Sequence, residues 1–224
     1  MDEQSNPVVA AFDLDGTLTQ GGSVFPWLKS IAGRGRTWRA ALSLALPLTI
    51  GAIRSSQWAD NAKERLFQKL LAGIDEEVIK EKTRVFAIEH LAHEGRPLLL
   101  ARLDWHRDQG HDVVIVSASS QLYVDVMTEE LRASGGLGTR LAVDPRGRLT
   151  GGYLGKNCRG TEKLRRLDEW IESRHYPRPP IIYAYGNSRG DRRMLSGAMY
   201  PFNVGKIRVI GSLRRFPRLK SADQ

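Results

Sequence analysis

A parallel α/β sheet flanked by helices, carrying an all-helical insertion after its first strand, is the fold class the sequence predicts. Three observations predict it. Short apolar runs at 8–12 (VVAAF), 112–116 (DVVIV) and 181–185 (IIYAY) each stop at polar or small residues. Near-continuous runs of that length mark strands covered on both faces. Helical patterns occupy 122–133 and 161–174 between them, and that alternation belongs to a parallel sheet with helices on both sides. From 21 to 106 the texture changes and no convincing strand is found.

Taken in order, the first run delivers Asp13, Leu14, Asp15, Gly16 and Thr17 to its carboxyl end. The insertion then carries helical periodicity over 64–71 and 76–93. There Leu66, Phe67 and Leu70, then Val78, Val85, Ile88 and Leu91, are spaced for one face. Within it, AALSLALPLTIGAI at 40–53 is the longest uncharged stretch, flanked by Arg34, Arg36, Arg39 and Arg54. It falls short of the ~18 apolar residues of a spanning helix and contains Pro47. Two readings stay open for it: a buried helix or helical hairpin, and an interfacial segment resting on anionic lipid. Gly135, Gly136, Leu137 and Gly138 follow a helix and read as a cap and turn. The Asp144-Pro145-Arg146-Gly147 turn predicts a hairpin within 140–155. The expected organisation is a core of 1–20 and 107–224 with an insertion of 21–106.

The 224 residues suit one domain with a modest insertion, and 41% hydrophobic against 26% charged residues excludes wholesale disorder. The single cysteine, Cys158, excludes an internal disulfide framework and fits a reducing, cytoplasmic setting. No basic leader opens the sequence. A net charge of +9 favours anionic partners without choosing among phosphate esters, lipid and nucleic acid. No nucleic-acid role is expected, because aromatic residues are not interleaved with the basic tail of Lys206, Arg208, Arg214, Arg215, Arg218 and Lys220. That run reads as a solvated tail, or as a holder of anionic lipid.

Ligands of open α/β sheets sit beyond the carboxyl ends of the strands. Asp13 and Asp15 project to the same side there, since side-chain direction has period two. Two carboxylates held together call for a cation, and hard oxygen ligands select Mg²⁺. FDLDGTLT resembles the signature of the haloacid dehalogenase superfamily of aspartate-dependent phosphohydrolases. Ser117 after DVVIV, Lys163 in CRGTEK, and Asn187 with Asp191 in YGNSRGDRRML are similar to the later motifs, in the same order. A helical cap after the first strand and the SAS at 117–119 most resemble the phosphoserine phosphatase-like branch. The resemblance spans 8–191 and implies a Rossmann-like core with an inserted α-helical cap.

It also implies roles. Asp13 would be the nucleophile that forms an aspartyl-phosphate, and Asp15 the general acid and then base. Dehalogenating relatives lack an acid at the second position, so Asp15 argues for phosphate chemistry. Ser117 and Ala118 would bind phosphate, and Lys163 would offset the charge on Asp13 and the phosphoryl group. Taken alone, Ser117 is also a good N-cap and Lys163 an ordinary helix-surface lysine. Asp13, Asp15, Asn187 and Asp191 would hold Mg²⁺. The family pattern has aspartate where this chain has Asn187, which removes one negative charge from the metal site. The expected substrate is a phosphorylated small molecule of the phosphoserine type or a lipid-like phosphate such as phosphatidylglycerophosphate. The latter would place the protein at the inner face of a membrane. A non-catalytic relative that binds anionic surfaces is the third reading. His90 and His93, three apart, read as a solvated pair, and Cys158 as structural.

Overall fold

The structure, a computed structural model, describes residues 6–54, 56–205 and 213–219, and leaves undescribed the side chains of 45–54, 56 and 58. Strands β1 (Val8–Phe12), β2 (Asp112–Ser120), β3 (Gly135–Thr139), β6 (Ile181–Gly186) and β7 (Tyr200–Asn203) form one parallel sheet, ordered β3-β2-β1-β6-β7. β4 (Leu141–Val143) pairs antiparallel with β5 (Leu149–Tyr153) as the expected hairpin. The three apolar runs are the three central strands.

Alternation along β1 explains its unbroken apolar character. Ala10 and Phe12 enter one core with Leu99 and Leu103 of α5 (Pro97–Asp108) and Tyr123, Val124 and Met127 of α6 (Gln121–Glu130). Val9 and Ala11 enter another with Leu167 of α7 (Thr161–Ser173) and Met194 and Leu195 of α8 (Arg192–Gly197). Both faces are covered, so neither can be polar.

Helices α1 (Val24–Ala32), α2 (Arg34–Arg54), α3 (Ser56–Leu71) and α4 (Glu76–Glu94) precede α5 between β1 and β2. Asp75 caps α4 by accepting from the Glu77 amide, and Pro97 opens α5 where no backbone donor is needed. A separate apolar cluster joins Trp27, Leu28, Ile31, Leu66, Phe67, Leu70 and Ile79 to Leu141 and Leu149 of the hairpin. The hairpin thus packs with the helical insertion rather than with the sheet.

Several expectations need correction. α2 runs through Pro47 as one helix, packed against α3. Of the apolar segment, Ala40 and Leu44 are buried while Leu42 is 68% exposed; from 45 onward its side chains lie outside the described ones. No helix among the described residues is long and apolar enough to cross a membrane. Residues 135–139 are not a cap and turn but the edge strand β3. A Cβ on Gly136 would collide with the Thr128 hydroxyl and one on Gly135 with the Trp170 indole, so glycine lets β3 approach both helices. On α4, Val78, Val85 and Ile88 are about half exposed, and Ile79, Thr83 and Ala87 form the buried face. The buried positions are set by α1 and α6, against which α4 packs, so a polar Thr83 lies inside and donors such as the Trp27 indole reach it. Of the basic tail, Lys206, Arg208 and Lys220 lie outside the described residues.

Candidate active site

The chain leaves β1 toward β2 and β3 on one side and returns to β6 and β7 on the other. β1 and β6 therefore flank the point where strand order reverses, which is where ligands sit in such sheets. Asp13 follows β1 there, and its amide donates to the Tyr185 carbonyl of β6 at 2.9 Å. Thr17 donates to Asp13 Oδ2 at 2.9 Å. Lys163, from the first turn of α7, donates to Asp13 Oδ1 at 2.6 Å and to Asp191 Oδ1 at 2.5 Å.

All three charges are buried: Asp13 is 5% exposed, Lys163 2% and Asp191 1%. Lys163 is therefore no helix-surface lysine. Buried ions are costly unless paired, and two carboxylates on one ammonium leave a net negative charge when both are ionised. Burial and the neighbouring Asp191 push the Asp13 carboxyl up to about 7, with Lys163 pulling the other way. Burial opposes the Lys163 ammonium too, but Asp13 and Asp191 outweigh it and hold Lys163 above the ordinary lysine range.

Asp191 is also fully engaged on its other oxygen. Oδ2 accepts from the Asn187 amide at 3.1 Å, the Ser188 amide at 2.9 Å and the Ser188 hydroxyl at 2.7 Å. It fixes the loop after β6, and that loop brings Asn187 over Gly16. A Cβ at Gly16, whose φ is +80°, would collide with the Asn187 amide; glycine is required there on both counts. The Asn187 Oδ1 atom is buried with no hydrogen-bond partner.

Asp15 is held apart from this triad. Ser23 donates its amide to Oδ1 at 2.7 Å, Ser119 donates its hydroxyl to Oδ2, and the Ser23 and Ser119 hydroxyls lie 3.0 Å apart. Ser117 lies within β2, which runs on to Ser120, so it is not an N-cap; its Oγ accepts from the Ser119 amide at 3.1 Å. The Ala118 carbonyl accepts from Lys63 Nζ and lies 2.8 Å from the Thr139 hydroxyl.

Sequence reasoning missed Thr17, Ser23, Ser119, Thr139, Lys63 and Arg96. Ser23 and Lys63 come from the helical insertion. Lys63 donates at 2.7 Å to both the Ala118 carbonyl and Asn157 Oδ1, and burial lowers its pKa to about 8 against the pull of Asp60 and Asp15. Arg96 ties the Gly16 carbonyl to that of Val204 at 2.6 and 3.1 Å. Only Thr17 and Ser119, inside the quoted motifs, carried a signal. The expected histidine pair separates: His93 is exposed and turns to the Glu89 carbonyl, whereas His90 stacks on Phe86 with its Nε2 buried. Cys158 is buried and donates to the Leu137 carbonyl, as its structural reading requires, and burial pushes its thiol up.

The family model for haloacid dehalogenase-like hydrolase matches residues 10–196, from β1 to α8. The chain belongs to that family. Two curated relatives of this haloacid dehalogenase-like hydrolase span most of its length. Protein CicA of Caulobacter vibrioides is 33% identical over 190 residues, 85% of this chain and 82% of the relative. The histidinol-phosphatase of Neisseria meningitidis serogroup C is 22% identical over 198 residues, 88% of this chain and 89% of the relative. Among solved structures, a protein of unknown function from Bordetella pertussis Tohama I superposes with a TM-score of 0.80 at 19% identity, covering 96% of this chain and 99% of that one. A phosphoserine phosphatase, solved as a phospho-aspartyl intermediate analogue, superposes with a TM-score of 0.60 at 14% identity, covering 90% and 87%. The fold is thus shared over most of the chain.

Proposed function

We propose that this hydrolase is a Mg²⁺-dependent phosphatase that cleaves a phosphate monoester through an aspartyl-phosphate on Asp13, with the helical insertion acting as its cap. The observation that carries the reading is the buried Asp13–Lys163–Asp191 triad at the sheet's switch point, beside an Asp15 positioned by separate donors. The sequence likeness to a histidinol-phosphatase and the fold shared with a phosphoserine phosphatase support it.

An Asp13 oxygen attacks phosphorus and the bond to the ester oxygen breaks. Asp15, protonated, gives its proton to the leaving alkoxide. Asp15, now a carboxylate, takes a proton from water; that water attacks phosphorus, phosphate departs and Asp13 is restored. Lys163 stays charged and faces the equatorial oxygens. Ser117 and the backbone at Ala118 bound the phosphate on the β2 side.

The residues fit a divalent cation. The orphaned Asn187 oxygen with Asp13, Asp15 and Asp191 would hold it, in a site whose ionised triad is net negative. Hydrogen bonds from Thr17, Ser23, Ser119, Lys163 and Ser188 fix where these carboxylates stand and leave each carboxylate an oxygen with a lone pair for the cation. Bound Mg²⁺ would draw charge off the phosphoryl oxygens. Phosphate release from a panel of monoesters, with Mg²⁺ and with chelator, tests the proposal together with Asp13→Asn. Turnover that requires Mg²⁺ and vanishes in Asp13→Asn is expected; full activity in the mutant refutes the mechanism.

One observation favours a second reading, a lipid-like phosphate met at a membrane surface. Trp38 and Leu42 on α2 are 52% and 68% exposed, near Arg36 and Arg39. Such a patch can enter a bilayer interface beside anionic headgroups. Sedimentation with anionic vesicles at low and high salt tests it, and no binding at low salt removes it.

A further inference from the structure

A groove of about 570 Å³ runs between α7 and the chain at 154–156 that follows β5. That volume lies within the range of small-ligand sites. α7 divides its faces between this groove and the catalytic side. Lys163 reaches Asp13 and Leu167 enters the core under the sheet. Glu162, Arg165, Arg166, Glu169 and Trp170 follow helical spacing and line the groove instead.

The charged groups of the groove divide into spent and unspent. Glu162 accepts from Arg165 at 2.7 and 2.9 Å and from Arg166 at 2.8 Å, and these partners lower its carboxyl to about 2. Glu169 accepts from Arg165. Arg166 completes its fork on the carbonyls of Gly138 and Lys156. It thereby braces β3, α7 and the 156 loop against one another, with only 12% of its side chain exposed. Both acids and two of the four cations are thus paired off. Arg140 and Lys156 remain, and neither side chain has an ion pair or hydrogen bond among the described residues. Arg140 is felt by Asp125 but makes no ion pair with it. Beside these two cations stands an apolar wall of Leu137, Leu154 and Trp170. Leu154 is 59% exposed, and the Trp170 indole is seated where Gly135 leaves room for it.

We propose that this groove is a second ligand site, separate from the one at Asp13, and that it binds an organic phosphate with a flat apolar body, the class to which nucleoside phosphates belong. The phosphates meet Arg140 and Lys156, and the flat part lies against Leu137, Leu154 and Trp170. Arginine and lysine are the side chains suited to phosphate oxygens, and an indole beside two leucines suits a ring. A bare anion leaves the apolar wall in water, and a neutral nucleoside leaves both cations unpaired. Neither fills the site alone. The proposal goes beyond the phosphatase reading and does not depend on it.

The test is calorimetric titration of ADP, GDP, CDP and UDP, with adenosine and pyrophosphate as controls, into the full chain. Chelator is present, so that no divalent cation loads the Asp13 site. At least one nucleoside diphosphate should bind about tenfold or more tightly than either control, since it alone meets both the cations and the apolar wall. The double variant Arg140→Ala/Lys156→Ala should weaken that binding by about tenfold or more, as loss of charge-assisted contacts does. Its unliganded melting temperature should match that of wild type, because both side chains are exposed and unpaired. Leu154→Glu, which sets a carboxylate in the groove from an exposed position, should weaken binding as well. Asp13→Asn should bind as wild type does. The assignment is overturned if no nucleotide binds, if pyrophosphate alone binds as tightly, or if binding survives the groove variants. Loss of binding in Asp13→Asn also overturns it, by moving the nucleotide to the catalytic residues.

Discussion

Asn187 is the residue at which this chain departs from the pattern it otherwise follows, and its geometry says what the departure does. The side chain lies directly over Gly16 and offers one neutral oxygen that no protein donor occupies. Asn187→Asp restores a charge at the same place, so the Mg²⁺ concentration for half-maximal activity should fall by about tenfold, as one added carboxylate strengthens a hard-cation site. A Mg²⁺ titration of activity in both proteins reads this directly. An unchanged or raised requirement removes Asn187 from the ligand set. Asp15→Asn tests a different function. Loss of the acid should slow alkyl phosphate hydrolysis far more than that of an activated aryl phosphate, by about 10²-fold or more; equal losses would remove Asp15 from that role.

Lys63 gives a pH prediction at the same scale. Its pKa is lowered to about 8 by burial, so it is charged at neutral pH and loses its proton as pH rises through 8. Its hydrogen bonds to the Ala118 carbonyl and Asn157 weaken with that charge, and with them the placement of the β2 end. Activity should decline through pH 8, and Lys63→Arg, which stays charged, should carry the decline upward. A pH–rate profile unchanged by that substitution would show that Lys63 does not govern this limb.

At the scale of elements, two predictions follow from the faces that the structure buries. Val85 and Ile88 look like core positions in α4 by spacing, yet both are half exposed. Val85→Glu should alter stability by no more than about 0.5 kcal/mol, as surface changes do. Gly136 looks dispensable, yet a Cβ there collides with the Thr128 hydroxyl. Gly136→Val should cost about 1–3 kcal/mol by overpacking β3 against α6. Urea denaturation of the two variants orders them, and the reverse order would contradict the burial pattern. The strands were legible because β1, β2 and β6 are covered on both faces and read as apolar runs. β3 was not, because glycine carries no side chain whose hydropathy could alternate. The buried face of α4 was misread for a related reason. Which stripe of a helix is covered depends on its neighbours, and Thr83 is buried because it accepts a hydrogen bond from the Trp27 indole.

Polar contacts tie the helical insertion to the strand ends and loops of the α/β core: Asp60 on α3 with Asn157 and Arg159, Lys63 with Ala118, and Ser23 with Asp15 and Ser119. A second polar network lies among the aromatic residues behind the sheet. His106 is fully buried, 2.8 Å from both the Tyr185 hydroxyl and His111 Nδ1, and Arg102 donates to the same hydroxyl. Burial, aided by Arg102 and His111, lowers the His106 pKa to about 3. An unfolded histidine titrates near 6.5, so below that pH the unfolded chain binds a proton that the folded chain refuses. The stability associated with His106 is therefore complete above about pH 6.5 and lost as pH falls toward 3, by up to about 1.4 kcal/mol per pH unit. His106→Leu should flatten this dependence between pH 6 and 4 in denaturation experiments, whatever its effect at pH 7. An equally steep curve in the variant would assign the slope to other groups.

By itself the sequence determined the fold class, the covered strands, the all-helical insertion and the order of the motifs along the chain. Each of these is written in short-range pattern: apolar runs, helical spacing, and acidic or basic residues placed just beyond a strand. It named Asp13, Asp15, Ser117, Lys163, Asn187 and Asp191 through the motifs alone. Only the tertiary structure decided that Lys163 is a buried bridge between two aspartates, that Asp191 divides its oxygens between Lys163 and the loop holding Asn187, and that Ser23 and Lys63 reach the residues at the strand ends. Lys163 meets Asp13 across 150 residues, and Lys63 meets Ala118 across 55. Contacts at those separations leave no periodicity in the chain, because strand order and helix packing create them, and a lysine, serine or histidine on a helix has the same local signature whether it faces water or a reacting phosphate.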